Sequence, residues 1–131
     1  MTELERVRKF FEGDVYATSV TGVVIEEIGD NWAKCSLKLD SRHRNAAGQV
    51  MGGVMFTLAD FTFAVSANRS SESVTVTSLA SISFLARVKG EILFAESKLL
   101  KDGKKSCFYE IEITDDTGTL VAKASALGAH V

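Results

Sequence analysis

Met51-Gly52-Gly53-Val54-Met55-Phe56-Thr57-Leu58-Ala59-Asp60-Phe61-Thr62-Phe63-Ala64-Val65-Ser66-Ala67-Asn68 decides the fold. The stretch is apolar almost throughout, and its eighteen residues are barely enough to span a bilayer as a helix. Asp60 sits in its middle and no basic anchor precedes Val50, which argues against a membrane span. A helix apolar nearly all round is a buried one, so the expectation is a central core helix over Gly53–Ala67, opened by Gly52-Gly53.

What surrounds that helix reads as strand. Ala33, Cys35, Leu37 and Leu39 alternate with Lys34, Ser36 and Lys38, the pattern of a strand with one buried face. After Asn68-Arg69-Ser70-Ser71, four strands are predicted at about Val74–Arg87, Glu91–Leu100, Lys105–Thr114 and Leu120–Ala129. Turns at Lys89-Gly90, Asp102-Gly103 and Asp115–Gly118 separate them. In the last strand, Leu120, Ala122, Ala124, Ala126 and Gly128 form a face of mostly small residues that lets a helix come close. Upstream, Thr2 and Glu5 have capping-box spacing, with Leu4, Val7, Phe10 and Phe11 at helical intervals before Gly13. The β-branched run from Thr18 to Ile28 reads as a further strand. The fold expected is α+β: an antiparallel sheet curved around one long helix, with a short N-terminal helix.

The chain has 131 residues, enough for one domain that buries roughly two-thirds of its unfolded surface. No linker, repeat or proline interrupts it, so residues 1–131 are expected to form a single domain. Fifteen Lys and Arg against seventeen Asp and Glu give a net charge of −2, which offers no basic excess for nucleic acid. Cys35 and Cys107 have neither metal nor redox spacing, and Cys35 falls in the apolar phase of its strand. With no basic-then-apolar leader after Met1, a cytoplasmic location away from membranes is expected.

Asp60 is the only ionisable side chain between Arg44 and Arg69. A carboxylate in such a helix is either held structurally, by a helix-to-loop hydrogen bond or an arginine such as Arg42, Arg44 or Arg87, or is catalytic. In the catalytic case desolvation raises its pKa and poises it as general base or nucleophile. Gly52 and Gly53 offer unshielded amides at the positive end of the helix, where an anion or oxyanion is stabilised. Gly53 and Asp60 share a helix face with Phe56, Thr57 and Ala64. Yet seven residues separate them by roughly 10 Å along the axis, too far for one helix to serve one reacting carbon. Two helices in a symmetric dimer could each give their amides to one site and their aspartate to the other.

Other chemistries fit less well. His43 and His130 belong to no zinc pattern, and no Gly-x-Ser-x-Gly elbow or dinucleotide glycine pattern is present. Gly103-Lys104-Lys105-Ser106 lacks the upstream glycine and helical context of a phosphate loop.

The run Arg42-His43-Arg44-Asn45-Ala46-Ala47-Gly48-Gln49-Val50-Met51-Gly52-Gly53, followed by Phe56-Thr57-Leu58-Ala59-Asp60, resembles the signature of hotdog-fold acyl-CoA thioesterases of the phenylacetate-pathway (PaaI-like) type. The resemblance extends over about residues 20–130 through Ala64–Asn68, Ile82–Arg87, Gly103-Lys104 and Tyr109–Ile113. It implies Asp60 as the catalytic carboxylate, Gly52 and Gly53 as the amides polarising the thioester carbonyl, and Asn45 as the loop residue placing water or thioester. Thr77 would stand near the aspartate. It further implies homodimers, often paired into homotetramers, and no cofactor beyond the coenzyme A of the acyl-CoA substrate itself.

Met51 departs from the family, which carries histidine before the glycine pair, and the usual proline near Leu85-Ala86-Arg87 is absent. Arg87, Lys89 and Lys104 are candidates to meet coenzyme A phosphates, and Phe56, Phe61 or Phe63 to line an acyl pocket. The alternative to a thioesterase is a non-catalytic acyl-CoA binder. A hydratase or dehydratase ranks last, because neither histidine lies on the central helix.

Overall fold

The computed structural model describes residues 1–68 and 73–131. Six antiparallel strands form one sheet: β1 (Val24–Gly29), β2 (Trp32–Lys38), β3 (Thr75–Phe84), β4 (Ile92–Asp102), β5 (Ser106–Asp115) and β6 (Leu120–His130). Their spatial order is β1-β2-β4-β5-β6-β3, and α2 (Gly52–Ala67) packs across the sheet's inner face. The short helix α1 (Glu3–Phe11) begins at the expected capping box: Thr2 Oγ1 accepts from the Glu5 amide at 3.1 Å.

The periodicities of β2 and β5 place the core as predicted, whereas on β6 Leu120 is exposed and Val121 is buried beside Ala122. Cys107, Tyr109, Ile111 and Ile113 on β5 and Ala33, Cys35 and Leu37 on β2 are buried. On β6 the small face admits α2 closely: a Cβ added to Gly128 would lie 2.7 Å from Phe63 Cζ and 2.8 Å from Cys107 Sγ. Phe63 meets Tyr109 edge-on, with 5.4 Å between ring centres. Leu58, Phe61, Phe63 and Val65 are fully or almost fully buried on α2, each contributing about 1.5–3 kcal/mol of transfer free energy. Both thiols lie within this core, and burial pushes Cys35 up to about 12.

Two elements differ from the sequence reading. Thr18–Thr21 is not strand but part of a π-helical turn, Tyr16–Thr21. Thr18 donates through both its amide and Oγ1 to the Asp14 carbonyl, and Gly22 (φ +95°) ends the turn in a conformation that favours glycine. The strand expected to reach Arg87 stops at Phe84, where the Leu85 and Ala86 amides turn to the Val121 carbonyl. Of the turn expected at Asn68–Ser71, residues 69–71 lie outside the described residues.

The two edges of the sheet are unlike. β1 is short, carries Glu26 and Glu27, and gives its Ile25 carbonyl to Arg8 Nε of α1 at 2.8 Å. β3 is ten residues long, has no charged side chain and, among the described residues, pairs only with β6. Leu79 and Phe84 on it are 67% and 52% exposed. Among the described residues, no helix is long and apolar enough to cross a membrane.

Candidate active site

The sheet covers α2 on the sides that carry Met55, Leu58, Ala59, Thr62 and Val65, and leaves one strip uncovered. That strip is Gly53, Phe56, Thr57, Asp60 and Ala64, the face the helical spacing picks out. Asp60 is therefore exposed in the protomer, not buried as its apolar neighbours suggest, because no strand crosses its side of the helix. No ion pair forms between it and a described residue: Arg42 pairs with Asp40 instead, and Arg44 donates to the Gly48 carbonyl.

The partner Asp60 does have is Thr77, whose Oγ1 donates to Asp60 Oδ1 at 2.9 Å. Thr77 stands where β3 loses register against β6: Thr77 faces Gly128 and Leu79 faces Leu127, leaving Ser78 as the extra residue. Such a bulge re-aims side chains. The hydrogen bond fixes one carboxylate oxygen and leaves Oδ2 available.

The other end of the strip is the helix start. Met51 is the N-cap, extended (φ −64°, ψ 138°), 45% exposed, and gives no side-chain cap. The Gly52 and Gly53 amides donate to no described residue, as the first N–H groups of a helix do, and they lie at the positive end of its dipole. A Cβ on Gly52 would lie 2.8 Å from Phe84 Cζ, whereas Gly53 faces open space. The helix start is held from behind by His43, whose carbonyl accepts from the Met51 amide at 2.9 Å. His43 is buried, with Nδ1 accepting from the Asp40 amide at 3.0 Å and Nε2 2.7 Å from the Thr21 carbonyl, so it is a strut.

Asn45 organises the preceding loop. Its Oδ1 accepts from the Ala47 and Gln49 amides at 3.0 and 3.1 Å, which leaves Nδ2 as the group facing outward.

A cavity of about 440 Å³ opens beside Asp60, lined by Asp14, Val15, Tyr16, Ala17, Phe56, Thr57, Phe61 and Ala64 as well. Of the aromatics singled out for an acyl pocket, Phe56 and Phe61 line it and Phe63 belongs to the core. A larger concavity, about 700 Å³, includes Lys34, Glu96, Lys98, Glu110, Glu112 and Lys123 of the charged sheet face, and none of the candidate residues.

Residues 47–122, more than half of the chain, match the family model of the thioesterase superfamily. The chain belongs to that superfamily. It is a thioester hydrolase with the PaaI-like hotdog fold. It is 28% identical over 119 residues to the acyl-coenzyme A thioesterase PaaI of Escherichia coli, covering 90% of this chain and 84% of the relative. With human acyl-coenzyme A thioesterase 13 it shares 30% identity over 94 residues, 68% of this chain and 66% of the relative. The solved structure of the E. coli PaaI protein superposes with a TM-score of 0.88 at 22% identity, covering 98% of this chain and 94% of that one.

In this thioesterase the candidate residues fall into two groups along the long axis of β3. Gly52 touches Phe84 at one end, with Asn45 on the loop that leads into the helix start. Thr77 and Asp60 meet towards the other. Arg87 and Lys89 follow β3 at the Phe84 end, whereas Lys104 lies in the β4–β5 hairpin, about ten strand positions or roughly 30 Å from Lys89. One protomer therefore does not bring the three cations together. Asp14, Tyr16 and Phe84 escaped the sequence reading: each reaches the site by a contact between distant segments, with no motif to announce it.

Among the described residues, one group could offer a metal three ligands: Asp102, Cys107 and His130. Their ligand atoms lie within 4.8 Å of one another. His130 already has both nitrogens engaged, Nδ1 with Thr75 Oγ1 at 2.7 Å and Nε2 with Asp102 Oδ1 at 2.9 Å. Burial, and then the Asp102 charge, push the Cys107 thiol up, which opposes the thiolate a metal needs. The cluster is satisfied by its own hydrogen bonds.

Proposed function

We propose that the protein hydrolyses acyl-CoA thioesters at sites shared between two copies of the chain, with Asp60 as general base. The observation that carries this reading is the bare, uncharged β3 edge, which runs from the Thr77–Asp60 end to the Phe84–Gly52 end. A long uncovered edge without charged side chains is a template for pairing. Antiparallel pairing of two such edges about a twofold axis lays the Phe84 end of one copy against the Thr77 end of the other. Each Asp60 then meets amides it cannot reach within its own helix.

In that arrangement Asp60 Oδ2 takes a proton from water while Thr77 holds Oδ1. The water oxygen adds to the thioester carbonyl carbon, and the developing oxyanion rests on the Gly52 and Gly53 amides. The C–S bond then breaks with its electron pair on sulfur, and the proton held by Asp60 passes to that sulfur, giving a carboxylic acid, which ionises in water, and coenzyme A thiol. No metal or further cofactor enters this scheme. In this reading Asn45 holds the water or the thioester through Nδ2, its Oδ1 being engaged by the Ala47 and Gln49 amides. Arg87 and Lys89 of one copy, with Lys104 of the other, are the cations available to coenzyme A phosphates. Pairing of two dimers into a tetramer is compatible with the same sites.

The test is hydrolysis of acetyl-, medium-chain, phenylacetyl- and hydroxybenzoyl-CoA by wild type and Asp60→Asn. Turnover of at least one thioester, with kcat reduced about a hundredfold or more in the variant, supports the scheme. Equal turnover in both proteins rules out Asp60 as the base. Saturable binding without turnover in either leaves the alternative, a non-catalytic acyl-CoA binder.

A further inference from the structure

The hydrolysis scheme leaves one carboxylate of the cavity unused. Asp14 lies between α1 and the π-helical turn, where its carbonyl accepts from the Thr18 amide and Oγ1, both at 3.0 Å. An aspartate at the start of a helical turn ordinarily caps it. Here the turn has no side-chain cap, and no described residue hydrogen-bonds the Asp14 carboxylate. The residue instead lines the same cavity as Asp60, with Val15, Tyr16, Phe56 and Phe61.

The two carboxylates feel each other: partial burial, and then the charge of Asp60, raise the Asp14 carboxyl above its ordinary value. Among the described residues, the titratable groups lining the cavity are Asp14 and Tyr16 from the N-terminal segment and Asp60 from α2, and none of those lining residues is Lys, Arg or His. Both carboxylates are exposed to solvent in one copy and most of the remaining wall is apolar, so their repulsion is felt most once an acyl group displaces water from the cavity. Asp60 must come within roughly 3 Å of the reacting atoms or reach them through one water, so a thioester carbon within its reach lies at this cavity, and the reading below seats the acyl arm in it. At about 440 Å³ the cavity is large enough for a small acyl chain or aryl ring.

We infer that Asp14 is a specificity-determining residue that turns away thioesters whose acyl chain ends in a carboxylate, so that the enzyme takes acyl groups with uncharged ends. This rests on the hydrolysis reading above and narrows its substrate class. Discrimination arises from repulsion: a third negative charge beside Asp14 and Asp60 finds no counter-charge among the described residues of the wall.

Hexanoyl-CoA and adipoyl-CoA have acyl chains of equal length and differ at the far end, a methyl against a carboxylate. The readout is the ratio of their kcat/KM values within each protein, so any general loss of activity divides out. Wild type is expected to favour hexanoyl-CoA by roughly ten- to a hundredfold, and Asp14→Asn to shrink that preference about tenfold, chiefly through the KM of adipoyl-CoA. Asp14→Glu, which keeps the charge, retains the preference, and Asp14→Ser serves if the asparagine variant fails to fold. An equal preference in wild type and the uncharged variants, or none in wild type, overturns the proposal. If wild type hydrolyses neither of these two thioesters, the hydrolysis reading is decided by the wider panel above. Calorimetric titration with the same two compounds then decides the proposal: tighter binding of hexanoyl-CoA, relieved in Asp14→Asn, upholds it, and equal or absent binding overturns it.

Discussion

At the scale of single residues, the site depends on side chains whose hydrogen bonds are committed in advance. Thr77 takes one oxygen of Asp60 and leaves the other, and Asn45 gives its carbonyl oxygen to its own loop and keeps its amide. Asp115 shows the same principle used for stability. It is buried, and burial alone would raise its pKa. Hydrogen bonds from the Thr117 hydroxyl and from the amides of Lys89, Gly90 and Thr119 outweigh that and hold it well below the usual carboxylate range. These bonds tie the β3–β4 connection, which carries Arg87 and Lys89, to the turn between β5 and β6. A carboxyl whose folded value is depressed adds stability above its unfolded value of about 3.9, and that stability is lost as pH falls through the folded value. Asp115→Asn should lower stability by about 2 kcal/mol at pH 7, because an amide nitrogen then faces backbone donors. Thermal melts of the two proteins should converge as the pH is lowered from 5 towards 2. A gap that stays constant over that range would show that the carboxylate charge is not what Asp115 contributes.

At the scale of elements, β3 has two jobs: its inward contacts place Thr77 against Asp60, and its outer edge is bare. If two copies pair along the whole of Thr75–Phe84, the twofold axis falls near Leu79 and Ala80. Leu79→Lys would set two cations near each other there while leaving the exposed side chain's own protomer intact. The expected result is a folded monomer by circular dichroism and light scattering, with hydrolysis lost. A variant that stays dimeric and active would move the interface off β3. Local and periodic features of these elements were readable from sequence. The Thr2–Glu5 capping box involves only neighbours, and the alternation in β2 and β5 reports which face is buried whatever lies opposite. Thr18–Thr21 misled because β-branched residues were held helical by a back-bonded hydroxyl and by Gly22. The exposure of Asp60 was hidden for a different reason. An apolar helix does not say which of its sides the sheet will fail to cover, and Asp14 reaches the same cavity only through the path of the chain.

At the scale of the whole molecule, the division of the candidate residues along β3 makes a demand that a single protomer cannot meet. Asp60 and the Gly53 amide lie on one helix face, and seven residues hold them roughly 10 Å apart. If each site takes its carboxylate from one copy and its amides from the other, two different inactive chains should repair one another. Asp60→Asn removes the base. Gly53→Pro removes one amide donor in the first helical turn, where proline is tolerated, and the added atoms have open space at that position. Each variant alone should be almost inactive. In a mixed dimer, one site carries both defects and the other carries neither. Random pairing of equal amounts makes half of the dimers mixed, so co-expression should restore about a quarter of wild-type activity. Hydrolysis measured on the co-purified proteins with separate tags checks this directly. No recovery in a mixed dimer whose two chains are both folded would mean that each site draws its base and its amides from one chain. The helix start would then need another role, because its amides would be too far from Asp60 to share its substrate carbon.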